Sequence, residues 1–391
     1  VRDRPAVGAA FANDAEVDGF DFISWGRSMT KNVVVCFDGT ANEFASDHTN
    51  VLKLFRVLDN QPGRQVAFYH PGIGTMEAAA ALTSVARKVT KVLGLAIGYG
   101  LERDVADAYA FIMRSFQPDD RLFMFGFSRG AYTVRAVAAL LRMYGLLPVG
   151  NEPMVPYAIR MMNAASRDGD DTGLDLAGDF RATFRGPDCK PHFVGVWDTV
   201  SSVGWIENPL KLRFTADNPD IAIGRHAVSI DERRAFFRTN LWRPNARLPT
   251  HGPRDVQQVW FPGVHCDVGG GYPELESGLS KFALEWMARE AVKAGLLIDR
   301  ARLDDVMGRT STAYAPADPD AMVHESLTAA WRPAELIPKK HWNWAEGREE
   351  RRMNLGRRRT LPKSPLVHAV AFARKGYVLP DGAIKVETDP W

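Results

Sequence analysis

The sequence predicts an α/β protein: a mostly parallel central sheet with helices on both faces. Three observations carry that expectation. Short apolar runs of strand length recur at Lys31 to Phe37, Val66 to Tyr69, Arg121 to Phe125, His192 to Trp197 and Val256 to Phe261. Segments with helical apolar spacing lie between or after them, as at Val51, Leu54, Phe55 and Leu58, and at Val134, Val137, Ala138 and Leu141. Each run also ends in a turn signal, such as Asp38-Gly39-Thr40 or Pro262-Gly263. Strand, helix, strand in that rhythm is how parallel strands are connected and covered.

Taken in order, residues 1–30 have no clear period and read as an N-terminal arm. Residues 31–295 read as one catalytic domain. Thr49 or Asn50 caps its first helix. Met76 to Leu93 is alanine-rich and partly helical by pattern. Leu101 to Phe116 is a better helix, stopped by Pro118. Segments at about 146–190 and 203–255 mix prolines, charges and short apolar runs, and read as insertions suited to a lid or cap. Leu279 to Ala294 is amphipathic. Residues 296–391, rich in Arg, Trp and Pro, read as a C-terminal extension packed on the core.

Bulk properties narrow the function classes. The 391 residues are 46% hydrophobic and 25% charged, with a net charge of +2. A near-neutral balance does not call for nucleic acid. Cys36, Cys189 and Cys266 are widely spaced with no CxxC pair, which argues against a disulfide framework and a structural zinc. No run is long and apolar enough to span a bilayer. Val1 to Asp21 lacks a signal-peptide core, although the first residue is valine and a removed leader is compatible with that. The expectation is synthesis in the cytoplasm, with any secretion by a route independent of a signal peptide. Neither glycine-rich stretch matches a nucleotide fingerprint, and no cofactor is expected.

The chemistry centres on Gly126-Phe127-Ser128-Arg129-Gly130, a GxSxG between a buried strand and a helix that Gly145 stops. In that context the serine sits on a sharp turn at a helix start, where backbone N–H groups can stabilise an oxyanion. A serine hydroxyl is a weak nucleophile and needs a base, and the base needs an orienting group. Functional groups of parallel sheets gather at the carboxyl ends of strands. Asp38, Ser128, Asp198 and His265 all stand at such ends.

His265, in a glycine-crowded loop, is the expected general base; His70, His192, His324 and His368 are its competitors. Asp198 is the expected acid, because a carboxylate after an apolar strand needs a partner. Asp267 is the second choice, two residues from His265. The order Ser128, Asp198, His265 is that of α/β-hydrolases. Oxyanion donors are expected from the N–H of Arg129 and of Gly39 or Thr40, with Asp38 bracing that loop.

Four segments together resemble one α/β-hydrolase family that contains the phospholipase effectors of bacterial type VI secretion systems. They are Val35-Cys36-Phe37-Asp38-Gly39-Thr40, Gly126-Phe127-Ser128-Arg129-Gly130-Ala131, Val196-Trp197-Asp198-Thr199-Val200, and Pro262 to Tyr272 with its HxDVGGGY core. The resemblance covers roughly residues 30–295. It implies Ser128 as nucleophile, His265 as base and lipid ester hydrolysis as the activity, of phospholipase A type. It implies a lipid or ester substrate and allows for an immunity or secretion partner protein.

Trp331, Trp342 and Trp344 precede a run containing Arg348, Arg351, Arg352, Arg357, Arg358 and Arg359. That mixture suits peripheral contact with an anionic membrane. The favoured reading is a solvated helix whose arginines pair with Glu346, Glu349 and Glu350. Three other functions compete with the serine hydrolase. An aspartate phosphatase would need a carboxylate where Cys36 stands. Asp38, Asp198, His265 and Asp267 together have the residue types of a metal-dependent phosphodiesterase. The third alternative is a hydrolase fold without catalysis, serving as an interaction module.

Overall fold

The computed structural model describes residues 30–39, 48–72, 86–168, 172–200, 204–205, 208–209, 212–243 and 253–391. The expected arm at 1–30 and the start of the alanine-rich helix lie essentially outside the described residues. The core is an eight-stranded sheet built from β1 (Asn32–Phe37), β2 (Gln65–His70), β3 (Arg121–Phe127), β4 (Pro191–Trp197), β7 (Ile223–Ser229), β8 (Asp255–Phe261), β11 (Leu366–His368) and β12 (Ile384–Val386). Two-residue strands β5 (Gly204–Trp205) and β6 (Asn208–Pro209) pair with each other off the sheet, as do β9 (Lys339–Asn343) and β10 (Arg348–Arg352). The order is β12-β11-β8-β7-β4-β3-β1-β2, and every pairing in it is parallel.

Both faces of this sheet are dry, so its strands are apolar on both sides. In β1, Val33, Val35 and Phe37 join one core cluster, while Val34 and Cys36 join the other. The first face is covered by α2 (Ala86–Ser115) and α3 (Arg129–Tyr144), the second by α1 (Asn50–Val57) and the later helix α7 (Ser280–Lys293). Thr49 caps α1, its hydroxyl accepting from Leu52 N at 3.3 Å. The chain leaves β1 toward β2 on one side and returns to β3 on the other. That reversal makes a crevice at the carboxyl ends of β1 and β3, where open α/β sheets bind ligands.

Three sequence expectations are corrected. Residues 146–190 contain α4 (Val155–Asp168) and α5 (Thr172–Thr183), whose Val155, Ile159, Met162 and Phe180 enter the same core as α3. They therefore roof that face of the sheet. Residues 203–255 are not a simple insertion, because they contain β7, a central strand. Arg225 and His226 disguise it in sequence. Arg225 sits in a bidentate pair with Asp255 (2.8 and 3.1 Å) and bonds Glu290 at 2.6 Å; His226 accepts from Thr199 N at 3.1 Å. The tail adds two strands, β11 and β12, to the main sheet. Its arginine-rich run is no helix; it is the β9–β10 hairpin and the loop that follows.

The tightest packing is at the turn after β3. A Cβ on Gly126 would lie 2.5 Å from the carbonyl oxygen of Gly130, and one on Gly130 would collide with that of Phe37. Gly130→Ala is therefore expected to lower stability by about 2–4 kcal/mol, through overpacking that backbone cannot relieve. Urea unfolding measures it; a loss under about 0.5 kcal/mol, the scale of an inert surface change, would show that β1 and α3 can separate.

Candidate active site

Ser128 is the residue between β3 and α3. Its backbone has φ 58° and ψ −117°, outside the regions that a side chain prefers. Such a conformation costs on the order of 1–3 kcal/mol and persists only where the surroundings impose it. Here the two flanking glycines and the parallel ladder do so. Ser128 N donates to Trp197 O at 3.1 Å, which continues the Phe127–Trp197 register of β3 and β4. Asp198, the first residue past β4, is held by an N–H bond to Ala227 O at 2.7 Å and also has positive φ, at 38°. Ser128 and Asp198 thus leave adjacent strands side by side.

His265 opens the short helix α6 (His265–Gly269) that follows β8. Its Nδ1 meets Asp198 Oδ2 at 2.5 Å. The ring lies between Phe127, at 4.6 Å between centroids, and Phe237, edge-on at 4.8 Å. The backbone N–H of His265 donates to Glu232 Oε2 at 3.2 Å. Gly269 lets α6 settle on Phe127, since a Cβ there would enter the Phe127 ring. Burial lowers the His265 pKa below its ordinary 6.5, with the Asp198 contact opposing. The imidazole is accordingly neutral at pH 7. Among the described residues, Ser128 and His265 are not joined by a hydrogen bond; such bonds often tighten only when substrate binds.

The Asp198 carboxylate is fully buried. Burial alone would raise its pKa, but the Arg359 guanidinium and the His265 hydrogen bond reverse that and hold it far below the usual carboxylate range. Arg359 grips both oxygens, Nη1 to Oδ1 at 2.5 Å and Nη2 to Oδ2 at 3.0 Å, and also donates to Ser229 Oγ at 2.7 Å. Ser229 N donates to Asp198 Oδ1 at 3.0 Å. Sequence reasoning placed Arg359 only in a surface run. The neighbouring Arg358 side chain is 60% exposed and that of Arg359 is 7% exposed, a distinction no composition rule makes.

The other expected residues separate cleanly. Asp38 is buried and braces its loop: it accepts from Gly39 N at 2.6 Å, Thr49 Oγ1 at 2.5 Å and Tyr69 OH at 2.8 Å. Gly39 lies against the elbow, where an added Cβ would be 3.4 Å from Ser128 Cβ. Its N–H is already engaged by Asp38, which weakens Gly39 as an oxyanion donor. Thr40 lies outside the described residues. Arg129 leads α3, whose first N–H groups have no partner within the helix. Its side chain is partly buried beside Asp104, and burial lowers its pKa to about 10.

Asp267, the alternative acid, does not face His265. It accepts from Val264 N at 2.9 Å and meets His324 Nδ1 at 2.6 Å, so it fixes the turn to the tail. His192 bonds Ala294 O at 2.9 Å from the far end of β4, His368 bonds Thr388 Oγ1 at 2.6 Å, and His70 lies 3.4 Å from Asp104. Asp38, Asp198 and Asp267 each have different partners, and no three His, Cys, Asp or Glu among the described residues group as metal ligands. The metal-dependent reading loses its ligand set on that geometry.

A parallel sheet with a serine elbow at its topological switch defines an α/β-hydrolase-like fold. Within that class, the chain belongs to the family described as T6SS, Phospholipase effector Tle1-like, catalytic domain, whose model matches residues 31–290. An uncharacterized protein of Saccharomyces cerevisiae is 36% identical over 234 residues, which cover 57% of this chain and 34% of that protein. The chain thus spans about a third of the length of that curated relative. Among solved structures, an uncharacterized protein from Pseudomonas aeruginosa is 19% identical with a TM-score of 0.44, over 72% of this chain and 49% of that one. The Tle1 effector bound to the VgrG spike of the type 6 secretion system is 20% identical with a TM-score of 0.33, over 65% and 53%.

Arg359→Met would leave the Asp198 carboxylate buried beside a neutral imidazole. The expected cost is about 3–5 kcal/mol at pH 7. Because the folded pKa of Asp198 is depressed, the stabilisation is present above the unfolded value of about 3.9 and is lost as pH falls toward the folded one. Urea unfolding of both proteins should show a full gap at pH 7 that narrows on acidification through the carboxylate range. A gap that stays constant would assign the loss to packing of the Arg359 stem instead.

Proposed function

We propose that this chain is a serine hydrolase that cleaves the carboxylic ester of a lipid, with phospholipid as the favoured substrate. The observation that carries the reading is the fully buried Asp198–His265 pair at the same sheet edge as the strained Ser128. Family membership supports the lipid class.

With Nδ1 turned to Asp198, Nε2 is the ring nitrogen left to take the Ser128 proton. Ser128 Oγ then attacks the ester carbonyl. The negative charge that develops on the carbonyl oxygen meets the Arg129 N–H at the start of α3, reinforced by the helix dipole. His265 returns the proton to the leaving alcohol, and water releases the acyl group by the same route in reverse. Asp198 stays ionised throughout; Arg359 makes that possible inside a dry core. The carboxylate fixes the tautomer and steadies the imidazolium that forms. A lipid substrate would bring the chain to a membrane surface, and the family's description makes a secretion-system protein the proposed partner for export.

Incubation with a fluorophosphonate probe is expected to label the wild type and not Ser128→Ala. Release of fatty acid from phospholipid vesicles should fall about 10⁴-fold or more in Ser128→Ala and by about 10⁴-fold in Asp198→Asn. Labelling that persists in Ser128→Ala would place the nucleophile elsewhere. The lowered His265 pKa sets the pH profile: kcat/KM depends on neutral imidazole, so its acidic limb should have a midpoint below 6.5. A midpoint above 6.5 would mean that Asp198, not burial, dominates the imidazole.

A further inference from the structure

A cleft lies beside Arg359, the partner of Asp198. Residues 232–239 form one wall, the β9–β10 hairpin another, and residues 357–360 a third. Seven arginines line it against a single carboxylate, that of Glu232. Glu232 is already committed, gripped by Arg234 at 2.9 and 3.0 Å and accepting from His265 N and Ser326 Oγ. Several of the arginines have acids of their own: Arg359 holds Asp198, Arg233 holds Glu325 at 3.0 Å, and Arg358 lies 3.3 Å from Asp231.

Arg238 and Arg352 are less well served. Arg238 Nε donates only to the Ala235 carbonyl, at 3.1 Å, and Arg352 is 3.8 Å from Glu350. Arg238 Nη2, Arg352 Nε, His341 Nε2 and Thr239 Oγ1 are all shielded from solvent without a hydrogen-bond partner among the described residues. Unmet buried polar atoms are rare, and the four residues that carry these all line this one cleft. Like charge is also crowded there. Burial lowers Arg238 to about 10 against the opposing charges of Glu349 and Glu335; burial, then Arg238 and Arg352, lower His341 to about 4.

We propose that this cleft binds a phosphate-type anion. Donors converge on it from three separate chain segments, and a tetrahedral oxyanion offers acceptors in several directions at once. Guanidinium forks match phosphate oxygens in pairs. The site is distinct from the reacting centre, because neither Ser128 nor His265 lines it. Phe237 is the partition: it lines the cleft and packs its ring edge-on against His265. Arg359 faces the cleft and grips Asp198, so the anion sits across one guanidinium from the acid. Its occupancy clamps the hairpin to the segment carrying Arg359.

The proposal is independent of the ester-hydrolase reading, and its test reads binding rather than turnover. Titration calorimetry and thermal unfolding of the full chain, with inorganic phosphate and pyrophosphate, are compared with sodium chloride at equal ionic strength. Saturable binding and a Tm rise of several degrees beyond the chloride control are expected. The double variant Arg238→Gln/Arg352→Gln should lose at least tenfold in affinity. Intrinsic tryptophan fluorescence supplies a second measurement, since Trp342 and Trp344 line the cleft; it should respond saturably in the wild type and not in His341→Gln. Sedimentation with vesicles of phosphatidylcholine, with and without phosphatidic acid, separates the sources. Vesicle binding that requires phosphatidic acid and is competed by pyrophosphate assigns a lipid headgroup. Binding of the soluble anions alone assigns a free phosphate. No saturable binding beyond chloride, or equal binding by wild type and variants, overturns the proposal.

Discussion

One carboxylate, removed from water and held ionised, organises this molecule. An isolated carboxylate in such a place would take up a proton rather than bear the desolvation cost. Asp198 does not, because a guanidinium covers both its oxygens and a backbone N–H and an imidazole meet them as well. Those partners come from distant parts of the chain: Ser229 from β7, His265 from the turn after β8, Arg359 from the tail. None of these segments could be displaced without exposing a charge to an apolar interior, so the acid ties the tail to the sheet alongside the pairing of β11 with β8. Such an ion pair adds little stability relative to apolar packing, but breaking it is costly. It acts as a constraint on geometry.

The second constraint is steric. The elbow brings α3 against the end of β1 so closely that neither Gly126 nor Gly130 has space for a methyl group. Ser128 is thereby forced into its unusual backbone, and α3 begins at the spot where β1 and β3 diverge. Asp38 completes the arrangement from the β1 side by pulling Gly39, Thr49 and Tyr69 onto one carboxylate. The ends of β1, β3 and β4 therefore meet at one rim of the sheet.

Much of this was legible because it depends on local rules. Runs such as Val33 to Phe37 declare a buried strand by themselves, and GxSxG has chemical meaning once a strand precedes it and a helix follows. Asp198 and His265 stood out because polar residues at the ends of apolar strands need a reason to be there. What stayed hidden depends on partners far away in the chain. Arg225 makes β7 look like loop, since its acids Asp255 and Glu290 cannot be inferred from its neighbours. Arg358 and Arg359 are adjacent and chemically identical, and only the fold sends one outward and the other to Asp198. Asp267 was a fair rival for the acid by proximity in sequence, but its true partner, His324, is fifty-seven residues away.

The family-matched segment, residues 31–290, contains Ser128, Asp198 and His265. It does not contain Arg359, which neutralises the acid, nor Ser326, which bonds Glu232 beneath the His265 backbone, nor His324, which anchors the turn holding the imidazole. It also lacks β11 and β12, without which β8 would become an unpaired edge beside the His265 turn. A boundary drawn at the last matched residue would therefore keep all three groups proposed to act on substrate. It would strand the charge that orients them, because the electrostatic unit in this chain is larger than the segment the family model matches.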